Sequence, residues 1–147
     1  MGRLEPSSTS ASSSMNRPDD FHPPQHAFDG NPKTAWNEDV RGPGRGEWLQ
    51  AEFAEARHIA RIRIATGYDS VSPRFGDLFS ANAHIKRVSV WVDGVRVATR
   101  DVEADERSVD LDALDVTGRR VRVVADEVWP GARWQDLSVN EIEIIGE

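Results

Sequence analysis

From Glu47 onward apolar and polar residues alternate. Leu49, Ala51 and Phe53 share one face of an extended segment; Ala60, Ile62 and Ile64 alternate with Ile59, Arg61 and Arg63; Val88, Val90 and Val92 alternate with Arg87, Ser89 and Trp91. A period of two with one apolar side predicts half-buried antiparallel strands. Asp93-Gly94, flanked by the β-forming Val92 and Val95, predicts a tight hairpin that pairs residues 85–92 with 95–102. Two more strands follow it, 119–124 with Val121 and Val123 inward, and 139–145 with Ile142 and Ile144 inward between Glu141 and Glu143. Residues 110–116 offer at most a turn of helix, and no longer window carries a helical stripe.

Residues 1–46 read differently. Pro18, Pro23, Pro24, Pro32 and Pro43 break any helix, which predicts extended chain and turns around one short strand. Phe21, Phe28 and Trp36 give that chain something to bury. Six or seven short strands with long connections at 66–84 and 126–137 predict an all-β sandwich of two antiparallel sheets rather than a closed barrel. The 66–84 connection holds Tyr68, Arg74, Phe75 and Phe79 and is longer than a purely structural loop, which marks it for binding. Trp91 faces away from Val90 and Val92, so it either lines the second face against a loop or joins an exposed patch.

Composition narrows the chemistry. The 147 residues suit one domain, and a hydrophobic content of 38% excludes a wholly disordered chain. No run approaches the ~20 apolar residues of a membrane span, so direct membrane insertion is not expected. The chain has no cysteine, which excludes disulfides, thiolate metal sites and a cysteine nucleophile and leaves only oxygen or imidazole ligands. A net charge of −7 opposes a phosphate backbone, so nucleic acid is not an expected partner. Met1–Glu5 lacks the apolar core of a secretory signal and Ser7–Ser14 is a polar tract, which reads as a cytoplasmic protein or an excised domain.

Catalytic signals are thin. His22 and His26 stand four apart, but Pro23 and Pro24 forbid the helix that would put both rings on one side. Gly42-Pro43-Gly44-Arg45-Gly46 lacks the Gly-Lys-Ser/Thr ending of a phosphate-binding loop and reads as a turn. The acidic pairs Asp19-Asp20, Glu38-Asp39 and Asp105-Glu106 fall in polar turns, where solvated carboxylates are expected. These observations point away from an enzyme.

Two segments carry ligand chemistry. In Ala27-Phe28-Asp29-Gly30-Asn31-Pro32-Lys33-Thr34-Ala35-Trp36, the Asp-Gly-Asn turn lets Asp29 and Thr34 offer hard oxygens to one Ca²⁺. Two side-chain oxygens are too few alone, so carbonyls, waters or a distant carboxylate such as Glu141 would have to complete the shell; the simpler reading has Asp29 capping its own turn. In Trp129-Pro130-Gly131-Ala132-Arg133-Trp134, two indoles and a guanidinium share a turn. With Tyr68 and Arg74 they form a candidate sugar surface, while Trp129 read structurally is a plug on the sandwich edge.

The Thr9–Ser14 tract, Phe28-Asp29-Gly30-Asn31-Pro32-Lys33-Thr34-Ala35-Trp36, Gly46-Glu47-Trp48-Leu49-Gln50-Ala51-Glu52-Phe53 and Leu137-Ser138-Val139-Asn140-Glu141-Ile142 resemble the discoidin (coagulation factor five/eight type C) superfamily, over nearly the whole chain. Gly67-Tyr68, Asn82 followed by Lys86, and Trp129 through Asp136 look like its bacterial branch, the NADase-type glycan-binding domains, a name that implies no NADase activity here. The resemblance implies a galactose-binding-like jelly-roll β-sandwich, a binding role and a structural Ca²⁺. It places that ion on the side chains of Asp29, Thr34 and Glu141 with carbonyls near His26, Asn31 and Asn140. It also places Trp36 and Trp48 beside strand starts, in or just beneath the core. His84 stands where the narrower branch often has an arginine.

The expected protein is therefore a non-catalytic glycan-binding module at an extracellular or cell-surface site within a longer chain, with residues 1–8 a tag or linker remnant and 9–147 a monomeric binding domain. Its ligand contacts are Tyr68, Arg74, Trp129, Arg133 and Trp134. The alternative is a protein–protein interaction module, favoured if Trp91 and Phe79 form one exposed patch. A glycosidase would need two carboxylates across a cleft.

Overall fold

A computed structural model describes residues 1–18, 20–39 and 44–147 of the chain. Asp19 and the Gly42-Pro43 half of the expected glycine-rich turn lie outside them. In chain order the elements are β1 (Gly2–Arg3), β2 (Ser8–Ala11), β3 (Met15–Arg17), β4 (Asp20–His22), a 3₁₀ turn at Pro24–Ala27, β5 (Trp36–Asn37), β6 (Trp48–Ala65), β7 (Val71–Ser72), β8 (Gly76–Asp77), α1 (Leu78–Ala81), β9 (His84–Val92), β10 (Val95–Asp101), β11 (Ser108–Leu111), β12 (Val116–Trp129), β13 (Ser138–Val139) and β14 (Ile142–Gly146).

The two apolar runs expected as separate strands form one continuous strand, β6. Its first part pairs with β2 on one side and β12 on the other, with Gln50 opposite both Ser10 and Arg122. Its second part pairs with β14 and β11, with Ile64 opposite both Ile142 and Val109. Between the parts the β12 register jumps from Arg57 opposite Gly118 to Glu52 opposite Arg120. The apolar phase changes at the same place. Leu49, Ala51 and Phe53 are buried before the jump, Ile59, Ile62 and Ile64 after it, and Ala54, Glu55 and Ala56 between them are exposed. Eight strands are thus hydrogen-bonded into one continuous antiparallel ladder through β6, and the step in β6 divides it into the two layers of the sandwich, β2-β6-β12-β9-β10 and β1-β14-β6-β11.

The β9–β10 hairpin forms as expected. Asp93 and Gly94 take φ of 49° and 85°, the left-handed pair that a two-residue turn matched to strand twist requires. The Asp93 carboxylate accepts the backbone N–H groups of Arg119 and Arg120 at 3.1 and 2.9 Å, fixing the turn to β12.

Three expectations change. Residues 1–8 are part of the domain: β1 pairs with β14, Leu4 is 5% exposed in the core, and the Ser7 N–H donates to the Glu52 carbonyl. A single leucine among polar residues shows no periodicity, so the sequence pattern could not mark this edge. The N-terminal third holds several very short strands instead of one, because each pairs for only two to four residues. Residues 110–116 contain no helical turn: they finish β11, turn, and enter β12, and among the described residues the one α-helical turn is α1 in the 66–84 connection.

Trp36 sits under the sandwich at 1% exposure and donates its indole N–H to the Ser13 carbonyl at 2.8 Å. Trp36→Ala leaves a cavity and an unpaired carbonyl, and is expected to cost about 3–5 kcal/mol of stability in denaturant unfolding.

Candidate functional site

The loops at one end of the sandwich enclose an open hollow of about 600 Å³ lined by Met15, Arg17, Asp20, His22, Asn37, Tyr68, Phe75, Leu78, Asn82, Trp134 and Asp136. Backbone contacts build its wall. The N–H groups of Ala132, Arg133 and Trp134 donate to the Ser80 and Ala81 carbonyls, laying the 130–134 loop along α1. Gly131 makes this approach possible: a Cβ there would fall 2.1 Å from the Trp134 carbonyl oxygen and 2.6 Å from the backbone of Ala81 and Asn82.

Aromatic rings and polar groups meet on this wall. Phe75 and Trp134 pack edge to face at 5.1 Å, and the guanidinium groups of Arg74 and Arg133 lie 4.9 and 4.6 Å from the Phe75 ring centre. Tyr68 donates its hydroxyl to the Lys33 carbonyl at 2.8 Å, and burial, seconded by Asp20, raises its pKa above the usual phenol value. His22 bridges the Asp20 carboxylate at 2.5 Å and the Ala35 carbonyl at 3.0 Å. Asp136 is pushed above the usual carboxylate range by burial first and then by Asp20 and Asp39.

Of the five expected ligand contacts, Tyr68 and Trp134 line the hollow and Arg74 and Arg133 stack at its aromatic wall. Trp129 does not join them. It ends β12 opposite His84, donates its indole N–H to the Val102 carbonyl at 3.0 Å and carries the Lys86 ammonium 4.4 Å from its ring centre. It plugs the sandwich edge, the structural reading that the sequence left open. Phe79 is 3% exposed beneath Arg107 and Trp91 lies on the sheet face, so they form no common patch. His84 is buried against the Phe79 ring at 4.2 Å and offers no surface for a ligand. Sequence reasoning missed Met15, Arg17, Asp20, His22 and Leu78, which reach the hollow through folding of distant segments and leave no local signal.

The Asp29 loop lies beside this end. Asp29 accepts hydrogen bonds from the Asn31 N–H and the Thr34 hydroxyl, capping its own turn, and Gly30 turns with φ of +72°. Asn140 ties the loop to the hollow, donating its amide to the Pro32 carbonyl at 3.0 Å and to the Asp69 carbonyl at 3.3 Å. Glu141 takes an Arg3 nitrogen at 3.3 Å on one oxygen, while its other oxygen is buried without a hydrogen-bond partner. Burial drives the Glu141 carboxyl up to about 7; Arg3 opposes the rise and Asp29 adds to it. Arg3 also donates to the Phe28 carbonyl at 2.7 Å.

Residues 3–145 match the profile described as the NAD glycohydrolase translocation F5/8 type C domain. The chain belongs to that family. This F5/8 type C domain also matches solved structures along almost its full length. The family 32 carbohydrate-binding module of Clostridium perfringens NanJ, in complex with galactose, superposes with a TM-score of 0.73 at 20% identity, covering 98% of each chain. A mutant of chitosan-binding module 1 from a Paenibacillus sp. IK-5 chitosanase/glucanase gives 0.72 at 17% identity over 99% of this chain and 98% of that one. A Streptococcus pneumoniae fucose binding module gives 0.64 at 18% identity over 99% and 95%. At such identities the likeness is one of fold, and it identifies the architecture as the galactose-binding-like sandwich of carbohydrate-binding modules. No curated protein matches the chain in sequence.

The Ca²⁺ expected from the sequence resemblance would draw on Asp29, Thr34 and Glu141. Asp29, Thr34 and Glu141 are hard oxygen donors, and a buried carboxylate oxygen with no partner is the group a cation would satisfy. Among the described residues no three His, Asp or Glu side chains gather as a ligand set, so carbonyls would have to complete the shell. For His26, expected to contribute its carbonyl, the ring stacks edge on against Phe21 at 5.8 Å.

The 66–84 connection is anchored by Arg107, which reaches Asp77 at 2.7 Å and Asp69 at 3.2 Å. Arg107 is the main cause that holds the Asp77 carboxyl down at about 2, against its ordinary 3.8. A depressed folded value means the pair stabilises in full above pH 3.8 and is lost as pH falls through about 2. Asp77→Asn is therefore expected to lower the urea midpoint at neutral pH and to leave little difference near pH 2.

Proposed function

We propose that this domain is a non-catalytic carbohydrate-binding module. Its ligand is a short glycan of an extracellular surface, held in the loop hollow, and a structural Ca²⁺ braces the loop beside it. The observation that carries this reading is the convergence of Tyr68, Phe75 and Trp134 with Arg17 and Asp136 on one open hollow. Ring faces of a sugar pack on aromatic walls, and its hydroxyls exchange hydrogen bonds with amide, carboxyl and guanidinium groups. Asp20 is taken up by His22, and the Asn82 amide donates to the Leu78 carbonyl, so these groups position the wall.

The neighbours named for galactose and fucose support a sugar as ligand class. The family description speaks of translocation, and a module that grips a surface glycan would hold an attached enzyme where translocation begins. The alternative of a protein-docking patch loses its motivating feature, since Phe79 is buried. Affinity for one sugar is modest in so open a hollow, and attachment of several modules to one chain would raise it.

Glycan-array binding followed by calorimetry tests the module. Trp134→Ala is expected to weaken the wild-type ligand by about tenfold, the loss of one aromatic wall. Failure of the wild type to bind any glycan overturns the reading. The ion is tested separately by thermal unfolding after EDTA treatment. Added Ca²⁺ should raise the wild-type midpoint and should not raise that of Asp29→Ala or Glu141→Ala, because an ion bound only by the folded chain stabilises it. An unmoved wild-type midpoint removes Ca²⁺ from the proposal and leaves the sugar site standing.

A further inference from the structure

The outer face of the β2-β6-β12-β9-β10 sheet carries a second groove, of about 500 Å³, that shares no lining residue with the loop hollow. Register builds it. Arg122 on β12 lies between Gln50 on β6 and Trp91 on β9, and Val124 lies between Trp48 and Ser89. These positions alternate with Leu49, Ala51, Val90, Val121 and Val123, which fill the core, so both indoles must face outward. Trp48, expected in or just beneath the core, is thus a half-buried surface residue on the same face as Trp91. One strand, β12, separates the indoles' backbones, so two strand spacings, about 10 Å, lie between them across the sheet, a span of about two linked sugar rings.

The charges of this groove are unlike those of the rest of the molecule. The chain carries a net −7, yet Arg96, Arg119, Arg120 and Arg122 gather around this face and join no ion pair among the described residues. Three carboxylates stand near them: Asp93 accepts the N–H groups of Arg119 and Arg120, Glu52 takes the Gln50 amide, and Asp126, at the groove's rim, lies in the field of Arg87. Arg122 is held flat, its guanidinium 3.7 Å from the Trp48 ring centre and its Nε donating to Gln50 at 2.9 Å. A guanidinium already fixed in plane loses little freedom when a carboxylate docks on its remaining nitrogens.

We propose that this face is a second binding site, for an acidic glycan chain whose carboxylates pair with Arg120 and Arg122 and whose ring faces lie against Trp91 and the Trp48–Arg122 stack. Half-buried indoles beside the Arg120 and Arg122 guanidinium groups suit the mixed polar and apolar faces of a sugar ring. The site stands or falls independently of the loop hollow.

The test titrates hexagalacturonate and hexamannuronate, and their carboxyl-reduced counterparts, into the full chain while following tryptophan fluorescence. At least one uronate hexamer is expected to bind saturably, and its reduced counterpart at least tenfold more weakly. Arg120→Gln with Arg122→Gln should weaken binding by roughly tenfold or more, and Arg122→Lys by less, because a lysine keeps the charge without the planar fork. Both carry exposed or half-exposed side chains, so an unchanged thermal midpoint certifies the fold. No saturable binding by either uronate, equal binding of the reduced chains, or loss in Tyr68→Ala with the arginine variants unaffected each overturns the sheet-face site.

Discussion

Everything in this sandwich hangs on the pairing of one strand that changes its buried side halfway. β6 supplies the centre of both sheets, and the step of register around residues 53–57 lets Leu49 and Ala51 pack from one sheet while Ile62 and Ile64 pack from the other. A strand with a single uninterrupted phase would bury one sheet and turn the next one's apolar face to solvent. The loops that enclose the hollow spring from the ends of strands that this pairing aligns, so binding geometry inherits its rigidity from β6.

Two kinds of surface follow. At the loop end, the walls come from backbone contacts between irregular segments, with Gly131 against α1 and Asn140 between the Asp29 loop and residue 69. On the sheet face, the arrangement comes from register alone, since every second residue of β6, β12 and β9 must point outward. The first kind gives a hollow with depth and varied donors. The second gives a flat, regularly spaced row better matched to an extended ligand.

The sequence made the regular part legible and the irregular part only in pieces. Period two marked β6, β9, β12 and β14 and the Asp93-Gly94 turn, because alternation and left-handed turn residues are local properties. β1 and Leu4 escaped notice since two paired residues carry no period. The motif around Asp29 was visible as a turn and the 66–84 connection as a binding loop. That Trp134 enters the hollow while Trp129, five residues earlier, leaves for the sheet edge depends on where β12 ends, which no spacing reveals. Arg17, Asp20 and His22 join Tyr68 and Asp136 only once distant segments fold together.

The strand order also bears on how the chain reaches this state. β14 fits between β1 and the second part of β6, and β12 fits between the first part of β6 and β9. Glu141, Ile142 and Ile144 must therefore arrive from the far end of the chain before the Asp29 loop meets its carboxylate neighbour or the second sheet closes. Such distant pairings pay loop-closure entropy before contacts repay it, which places the domain among slow folders whose half-made sheets wait with open edges. During ribosomal synthesis the first hundred or so residues would expose an unfinished β6 until the last strand emerges, a window in which chaperone contact matters more than for a helical domain of equal size.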